Sequence, residues 1–171
     1  LVFGNNDTPG VMLSSAAKEY LKVYGVLVGK KPLIFTNNDS GYETAIEFKK
    51  NGVDPIILDT RKEPKSEIID EAKKLDIQIK FSYVVVAAKG YKKVKSAEVA
   101  KISDDKNELG TLENINCDCI CVSGFWTPTI HLASQSGNKT TFNKDIDAFV
   151  PGLSKQNETT LGAANGTFTL E

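Results

Sequence analysis

The chain has little of what side-chain catalysis or metal binding usually requires. Its 171 residues include one histidine, one tryptophan, one methionine and only three cysteines. No apolar run approaches the ~20 residues of a membrane-spanning helix, and no signal peptide begins the chain, so we expect a cytoplasmic protein without a membrane partner. The 21 basic and 22 acidic residues are interspersed and nearly balance. This balance disfavours nucleic acid as a partner, and we interpret the basic cluster Lys89–Lys95 as a solvated face.

The cysteines form a C-x-C-x-C pattern at Cys117, Cys119 and Cys121. On a strand, this spacing places every thiol on one face, ~7 Å from the next, as a metal site could use. A closed zinc or iron–sulfur site needs four ligands, however, and the only histidine, His131, lies beyond a turn. We therefore interpret the cysteines as small buried strand residues, expect no metal, and assign His131 no catalytic role.

Residues 1–81 show the alternation of strands and helices that is typical of parallel sheets. A first helix is predicted to begin after the N-cap Thr8, with Pro9 at its first position. It runs to about Tyr24 and stops at Gly25. Its predicted buried stripe consists of Met12, Ala16, Ala17, Tyr20, Leu21 and Tyr24. Strands are predicted at residues 33–35, 55–58 and 77–81, and helices at residues 40–50 and 64–75.

The pattern changes after Ser82. Extended runs at residues 83–88, 92–102 and 112–116, with turns at Gly90 and Asp104–Asn107, predict a three-stranded antiparallel meander. The apolar run 117–123 then predicts a strand that returns to the parallel sheet. The predicted fold is α/β, a Rossmann-like three-layer domain with a central parallel sheet and an inserted meander. We assign residues 1–171 to a single domain, with a core at 11–81 and 117–124, the meander at 82–116 and a return segment at 125–169.

The segment Pro32–Thr44, PLIFTNNDSGYET, has the strand–turn–helix layout of a dinucleotide-binding fingerprint. When it is aligned on the last glycine of G-x-G-x-x-G, the three glycine positions hold Thr36, Asn38 and Gly41. Only the glycine that lets the helix and the strand pack closely remains. The Asn38 side chain blocks approach to a pyrophosphate, and the Asp39 carboxylate occupies the positive end of the helix dipole. We interpret this segment as a Rossmann unit kept for its shape.

Asp59 closes the next predicted strand, 18 residues after Gly41. The acid that holds a ribose hydroxyl in dinucleotide-binding proteins lies ~20 residues on, so Asp59 could be its relic. Alternatively, Asp59 caps the following turn and pairs with Arg61. We favour the second interpretation because the phosphate seat is missing.

This order of elements resembles the second nucleotide domain of two-dinucleotide-binding flavoproteins such as the disulfide reductases. The residue strings are more specific than the order of elements. Along the whole chain they resemble the alpha subunit of heterotetrameric sarcosine oxidase, and the resemblance is carried by TPGVMLSSA, FTNNDSGYETA, VSGFWTPTIHLASQSG and GAANG. That resemblance implies a parent subunit with an NAD-binding part, this inserted domain and a folate-binding region. It also implies smaller subunits and a beta subunit that carries FAD, covalent FMN and the sarcosine site.

The resemblance further implies that this chain is a fragment, inactive alone and without a cofactor of its own. An abrupt start at Leu1 and a terminal Leu170-Glu171 that could be a cloning scar fit this expectation. In the intact subunit, the GAANG residues Gly162, Ala163, Asn165 and Gly166 would contact NAD, whereas in the fragment they form a plain turn.

Three functions compete. The first is a degenerate NAD(P)-binding-like domain of a sarcosine oxidase alpha subunit, which joins the missing domains in a flavin, NAD and folate complex that oxidatively demethylates sarcosine. The alternative is a stand-alone NAD(P)H-binding domain of a disulfide-reductase-like oxidoreductase. The third is an interaction module that docks the beta subunit near Trp126, which we otherwise interpret as a packing residue.

Overall fold

The computed structural model describes residues 1–103 and 108–168. The predicted turn at Asp104–Asn107 and the dipeptide Leu170-Glu171 lie outside the described residues. The chain divides into two compact units, Leu1–Phe125 and Trp126–Glu171. The border falls where the predicted return segment begins, and the assignment of both units to one domain stays a prediction.

The first unit is built on a five-stranded parallel sheet. Its strands are β1 (Val11–Leu13), β2 (Pro32–Thr36), β3 (Ile56–Asp59), β4 (Gln78–Phe81) and β8 (Cys119–Ser123), in the order β1-β8-β2-β3-β4. The helices are α1 (Ser14–Tyr24), α2 (Ser40–Lys50) and α3 (Glu67–Lys74). A second sheet consists of β5 (Tyr83–Lys89), β6 (Ser96–Lys101) and β7 (Glu113–Asn116), which pair antiparallel in chain order.

The central strand β2 shows why these residues form three layers. All five of its residues are buried. Ile34 packs in the cluster formed with the helices, whereas Leu33 and Phe35 pack in the cluster formed with the meander. A strand covered on both faces is apolar without alternation, as the PLIFT run predicted. The predicted α/β fold, with its parallel sheet and inserted meander, is confirmed.

The start of the first helix differs from the prediction. Val11, Met12 and Leu13 form β1, and α1 begins only at Ser14. The carbonyl of Thr8 accepts a hydrogen bond from the amide of Val11 (3.0 Å), so Thr8 lies in a turn and is not a helix cap. Pairing of β1 with β8 extends these three residues, which overrides their helical spacing.

The predicted buried stripe of this helix is also partly wrong. The buried residues of α1 are Ser14, Ala17 and Leu21, whereas Tyr20 and Tyr24 are 46% and 65% exposed. The predicted stop is confirmed, because Gly25 has φ 65° and donates its amide to the carbonyl of Leu21.

Two other element starts were predicted too early. Pro64 precedes α3, whose first helical residue is Glu67, with Ser66 extended before it. Strand β6 begins at Ser96, since residues 90–95 lie in the turn that follows β5. At that turn Gly90 has φ 153°, and a Cβ there would lie 1.9 Å from the carbonyl oxygen of Lys93.

The second unit contains a short helix, a hairpin and a 3-10 turn. The helix is α4 (His131–Gln135), the hairpin pairs β9 (Thr140–Asn143) antiparallel with β10 (Ala148–Pro151), and Gly162–Asn165 form the turn. Phe142 and Phe149 meet edge-to-face across the hairpin, with ring centroids 5.2 Å apart. Among the described residues of the whole chain, no helix is long and apolar enough to cross a membrane.

Candidate functional site

The candidate site lies at the carboxyl edge of the parallel sheet in the first unit. Ligands of open α/β sheets bind in the crevice at this edge, where neighbouring strands lead their connections to opposite faces. Here that crevice separates the end of β2 from the end of β8, because the chain runs outward from β2 to β3 and β4 and then returns as β8 on the other side of β2. This edge brings together all five residues of the predicted degenerate turn: Thr36, Asn38, Asp39, Gly41 and Asp59.

Gly41 lies where α2 packs closely on β2. A Cβ at this position would lie 2.7 Å from both Cβ and Oγ1 of Thr36. Ordinary carbon–carbon contacts are about 3.5–4.0 Å, so no larger side chain fits unless the helix moves. The packing role that the sequence indicated for this glycine has a steric basis.

Asn38 bridges the crevice with its side-chain amide. Its Nδ2 donates to the carbonyl of Gly124, just beyond the end of β8, and its Oδ1 accepts from the amide (3.0 Å) and hydroxyl (2.6 Å) of Ser40. The Ser123 hydroxyl lies 3.3 Å from the same oxygen and 2.6 Å from the Ser40 hydroxyl. The amide therefore fills the space between the two strand ends.

The main-chain donors of this turn also have partners within the protein. The amide of Asn37 donates to the carbonyl of Ser123 (3.3 Å), and that of Asn38 to the hydroxyl of Thr36 (3.2 Å). The amide of Ser40 is bonded to Asn38 Oδ1. In a working dinucleotide site, such amides point at phosphate oxygens. Three donors of this turn are already engaged.

Asp39 adds a negative charge beside the start of α2. Its carboxylate forms an ion pair with Arg61, with Oδ1 2.8 Å from an Arg61 terminal nitrogen. The guanidinium that could have attracted phosphate is thus neutralised by Asp39 and, on its other side, by Asp59 (2.9 Å). Burial opposes the charge of Arg61, but its hydrogen bonds to Asp59 and Asp39 dominate, so the pKa of Arg61 is raised.

Asp59 is fully buried, and both its oxygens are occupied. Oδ1 accepts from the amide (2.9 Å) and Nε (3.1 Å) of Arg61, and Oδ2 accepts from the Tyr42 hydroxyl (2.7 Å) and the Arg61 guanidinium. Burial and the hydrogen bond to this carboxylate raise the pKa of Tyr42 well above its usual range. This is the arrangement that the turn-capping interpretation requires, and it leaves no oxygen free for a ribose.

Sequence reasoning missed the part that Ser40, Tyr42 and Ser123 play at this edge. An asparagine two residues after a strand is a signal for an Asx turn, so the bond from Ser40 to Asn38 was accessible from the sequence. The bonds to Ser123 and Gly124 were not, since they join positions 85 and 86 residues apart.

The three cysteines do not share one face, which corrects the prediction. Cys119 and Cys121 pack toward the helices with their sulfurs 3.6 Å apart, closer than expected, whereas Cys117 packs toward the meander. Cys117 and Asp118 precede β8, so they do not follow its alternation of faces. The Asp118 carboxylate accepts hydrogen bonds from the main-chain amides of Lys30 and Lys31.

All three thiols are buried. Burial raises the pKa of Cys117 to about 12, and the hydrogen bond with Cys119 together with burial raises that of Cys121. Within residues 1–103 and 108–168, no group of three or more His, Cys, Asp or Glu side chains could hold a metal ion.

The remaining candidates belong to the second unit. Gly162, Ala163 and Asn165 lie exposed in the 3-10 turn, and Gly166 follows with φ 85°. Trp126 is 57% exposed, with its ring 6.3 Å from that of Phe168. His131 is exposed at the start of α4.

Comparison with known proteins gives sequence relatives of one kind. The chain is 37% identical over 175 aligned residues to the sarcosine oxidase subunit alpha of Rhizobium meliloti, covering 98% of this chain and 16% of that protein. It is 32% identical to the subunit alpha of a Corynebacterium species, covering 98% and 17%. The chain thus spans about one sixth of the curated relatives it matches. No protein-family model matches the chain.

Solved structures with the same fold include disulfide reductases. Thioredoxin reductase from T. acidophilum aligns with a TM-score of 0.66 at 15% identity, over 96% of this chain and 56% of that one. The bacillithiol disulfide reductase of Staphylococcus aureus aligns with a TM-score of 0.65 at 16% identity, over 98% and 55%. The sequence relatives confirm that this chain resembles one segment of the sarcosine oxidase alpha subunit, and the solved structures confirm a Rossmann-like fold.

Proposed function

We propose that this chain is a degenerate NAD(P)-binding-like domain of a sarcosine oxidase alpha subunit, retained as a structural module of an oxidoreductase. The observation that carries the proposal is the Asn38 side chain, which bridges the ends of β2 and β8 where a dinucleotide would lie. The assignment to the alpha subunit is supported by the names of the sequence relatives, and the assignment to an NAD(P)-binding-like domain is supported by the fold.

The cost of admitting a pyrophosphate to this turn is substantial. Displacing Asn38 breaks its bonds to Gly124 and Ser40, and each such bond contributes about 1 kcal/mol net. A diphosphate charge about 4 Å from the Asp39 carboxylate adds about 1–4 kcal/mol of repulsion. Together these terms amount to several kcal/mol, which converts a micromolar affinity to roughly millimolar or weaker.

The parent complex follows from the resemblance. In it, the alpha subunit binds folate through another region and NAD mainly through its N-terminal part, the beta subunit carries FAD and covalent FMN, and the complex oxidatively demethylates sarcosine in the cytoplasm. This chain contributes no catalytic residue and binds no cofactor alone. Within the intact subunit, main-chain amides and the Asn165 side chain contact NAD, through Gly162, Ala163, Asn165 and Gly166.

Titration of the 171-residue chain with NADH, followed by nicotinamide fluorescence, tests the proposal. We expect no saturation in the micromolar range. The double variant Asn38→Gly, Asp39→Gly should bind NADH more tightly than the unmodified 171-residue chain, because it reopens the crevice and removes the negative charge. Glu43→Gln, which removes an exposed carboxylate one turn further along α2, is the matched control and should change nothing. Saturable micromolar binding of NADH by the unmodified 171-residue chain refutes the proposal.

The alternative is a stand-alone NAD(P)H-binding domain. The intact strand–turn–helix geometry, with Gly41 closely packed on Thr36, is the observation in its favour. The same titration decides between the two functions.

Membership of the complex has its own test. Co-purification of the parent subunit with a beta-type flavin subunit supports it, and so does a neighbouring gene for such a subunit. If the second unit docks the beta subunit through exposed Trp126, then Trp126→Ala abolishes co-purification.

A further inference from the structure

Helix α1 differs from the other two helices of the first unit in its outer surface. Every exposed residue of α2 and α3 is charged. Helix α1 instead carries a second apolar arc beside its buried one. The arc consists of Ala16, Tyr20, Val23 and Tyr24.

Helical geometry shows that this arc is continuous. At 3.6 residues per turn, the four residues span about 100° of the helix circumference, directly beside the buried positions Ala17 and Leu21. Val23 is 65% exposed, and the Tyr20 and Tyr24 rings lie 6.0 Å apart on the surface. The charged residues Lys18 and Lys22 lie on the opposite flank, paired with α2 through Glu43 and Glu47. The helix therefore has two apolar surfaces, and within residues 1–103 and 108–168 only the one formed by Ala17 and Leu21 is buried.

The apolar surface continues beyond the helix at both ends. Leu13, which precedes α1 in β1, is 64% exposed, and Val26 and Leu27, which follow it, are 48% and 44% exposed. Contiguous exposed apolar patches of this kind mark interaction sites in soluble proteins. We call the set of Leu13, Ala16, Tyr20, Val23, Tyr24, Val26 and Leu27 the α1 patch.

The sheet is open beside the same region. Strand β1 is the edge of the five-stranded sheet and, among the described strands, pairs only with β8. Proteins usually cover or charge such edges, because unpaired amides and carbonyls recruit other chains. Val11, Met12 and Leu13 carry no charge, so within this strand only its shortness protects the edge.

We propose that the α1 patch and the β1 edge are covered by another part of the same alpha-subunit polypeptide. The inference rests on the proposed function, since the relatives are about six times longer than this chain. A segment of the same polypeptide needs no second binding event in solution, because its effective concentration is set by the connecting chain. The covering segment is apolar where it meets the tyrosines and Val23.

Cysteine labelling measures whether the patch is covered. The native cysteines are buried, so a thiol introduced by Val23→Cys is the reactive one. We expect a maleimide to label it rapidly in the 171-residue chain and at least about tenfold more slowly in the full-length alpha subunit expressed alone, since a buried thiol reacts only when its contact opens. The matched control is Lys22→Cys on the opposite flank of α1, which should react at similar rates in both proteins.

Other outcomes overturn the proposal in distinguishable ways. Equal labelling in the chain and the full-length subunit shows that the patch is free. Protection that requires the beta subunit assigns it to a partner chain, and protection in the 171-residue chain that grows with its concentration assigns it to a second copy. If the gene encodes a polypeptide of only these 171 residues, the proposed function itself fails.

A stability measurement supplies a second readout. Val23→Ser changes an exposed residue in the isolated chain, so its unfolding free energy should shift by no more than about 0.5 kcal/mol. In the full-length subunit the same change should lower the melting temperature. An unchanged melting temperature there contradicts the proposal.

Discussion

Replacement of Gly41 by alanine tests the close packing of α2 on β2, because two physical effects predict opposite signs. Alanine is about 1 kcal/mol better than glycine inside a helix, so helix propensity alone predicts stabilisation. The added Cβ, however, would lie 2.7 Å from Cβ and Oγ1 of Thr36. This is about 1 Å shorter than a normal contact, and Thr36 Cβ is fixed to the backbone of a buried strand.

The structure predicts that overpacking dominates. Overpacking of a well-packed core costs typically about 1–3 kcal/mol, and at the second residue of α2 the propensity gain is smaller than its mid-helix value. We expect Gly41→Ala to lower the free energy of unfolding by about 1–2 kcal/mol. For a chain of this size, that corresponds to a decrease in melting temperature of roughly 2–8 °C.

Urea unfolding followed by far-ultraviolet circular dichroism measures the change. Glu43→Ala places an alanine in the same helix at an exposed position, and should shift stability by less than about 1 kcal/mol because it loses only a surface ion pair with Lys18. Combining Gly41→Ala with Thr36→Gly tests the contact itself. If the clash is the cause, the double variant is more stable than the sum of the single changes by about 1 kcal/mol or more. A stabilised Gly41→Ala variant, or strict additivity, refutes the reasoning.

Three further predictions concern the same edge of the sheet. Asn38→Ala should cost about 1–3 kcal/mol in urea unfolding, because it leaves the carbonyl of Gly124 without its donor; a neutral effect would show that the bridge does not stabilise the fold. Arg61→Leu should cost on the order of 3 kcal/mol, since it removes the countercharge of the buried Asp59 carboxylate and both guanidinium donors to it, whereas Arg61→Lys should cost less. The raised pKa of Tyr42 keeps its proton in the folded state at pH values where the unfolded chain loses it, so the Tyr42 contribution to stability is constant below about pH 10 and falls above it. Tyr42→Phe should flatten this alkaline decrease, and an unchanged slope between pH 9 and 11, expected only if the phenol titrates normally, would contradict it.

The elements that were predictable from the sequence carry their own signals. Strand β2 is apolar at nearly every position, and α2 shows helical spacing that ends near a glycine, so both were placed within one or two residues. The meander was recognised because its three runs are bounded by turn residues. In each case the local pattern and the tertiary environment favour the same structure.

The elements that were missed depend on distant residues. Three residues, Val11–Leu13, are too short to be recognised as a strand, and they are extended because they pair with Ile120, Cys121 and Val122 far along the chain. Cys117 leaves the predicted face because Asp118 turns to bind the amides of Lys30 and Lys31. Neither contact has a local signature.

The candidate site divides in the same way. Loss of the phosphate-binding glycines and the negative charge of Asp39 could be identified from the sequence, as could the possible pairing of Asp59 with Arg61. The blocking position of Asn38 was also predicted, but its hydrogen bond to Gly124 was not, because Gly124 is 86 residues away. The hydrogen bond from the Tyr42 hydroxyl to Asp59 was missed for the same reason, because it joins a helix and a strand that are 17 residues apart in sequence.

A crystal structure of this chain grown with millimolar NADH tests the central claim most directly. The account predicts that the amide of Asn38 still donates to the carbonyl of Gly124 and that no dinucleotide occupies the edge between β2 and β8. Electron density for a diphosphate held by the main-chain nitrogens of residues 37–40, with the Asn38 side chain turned away, would contradict it.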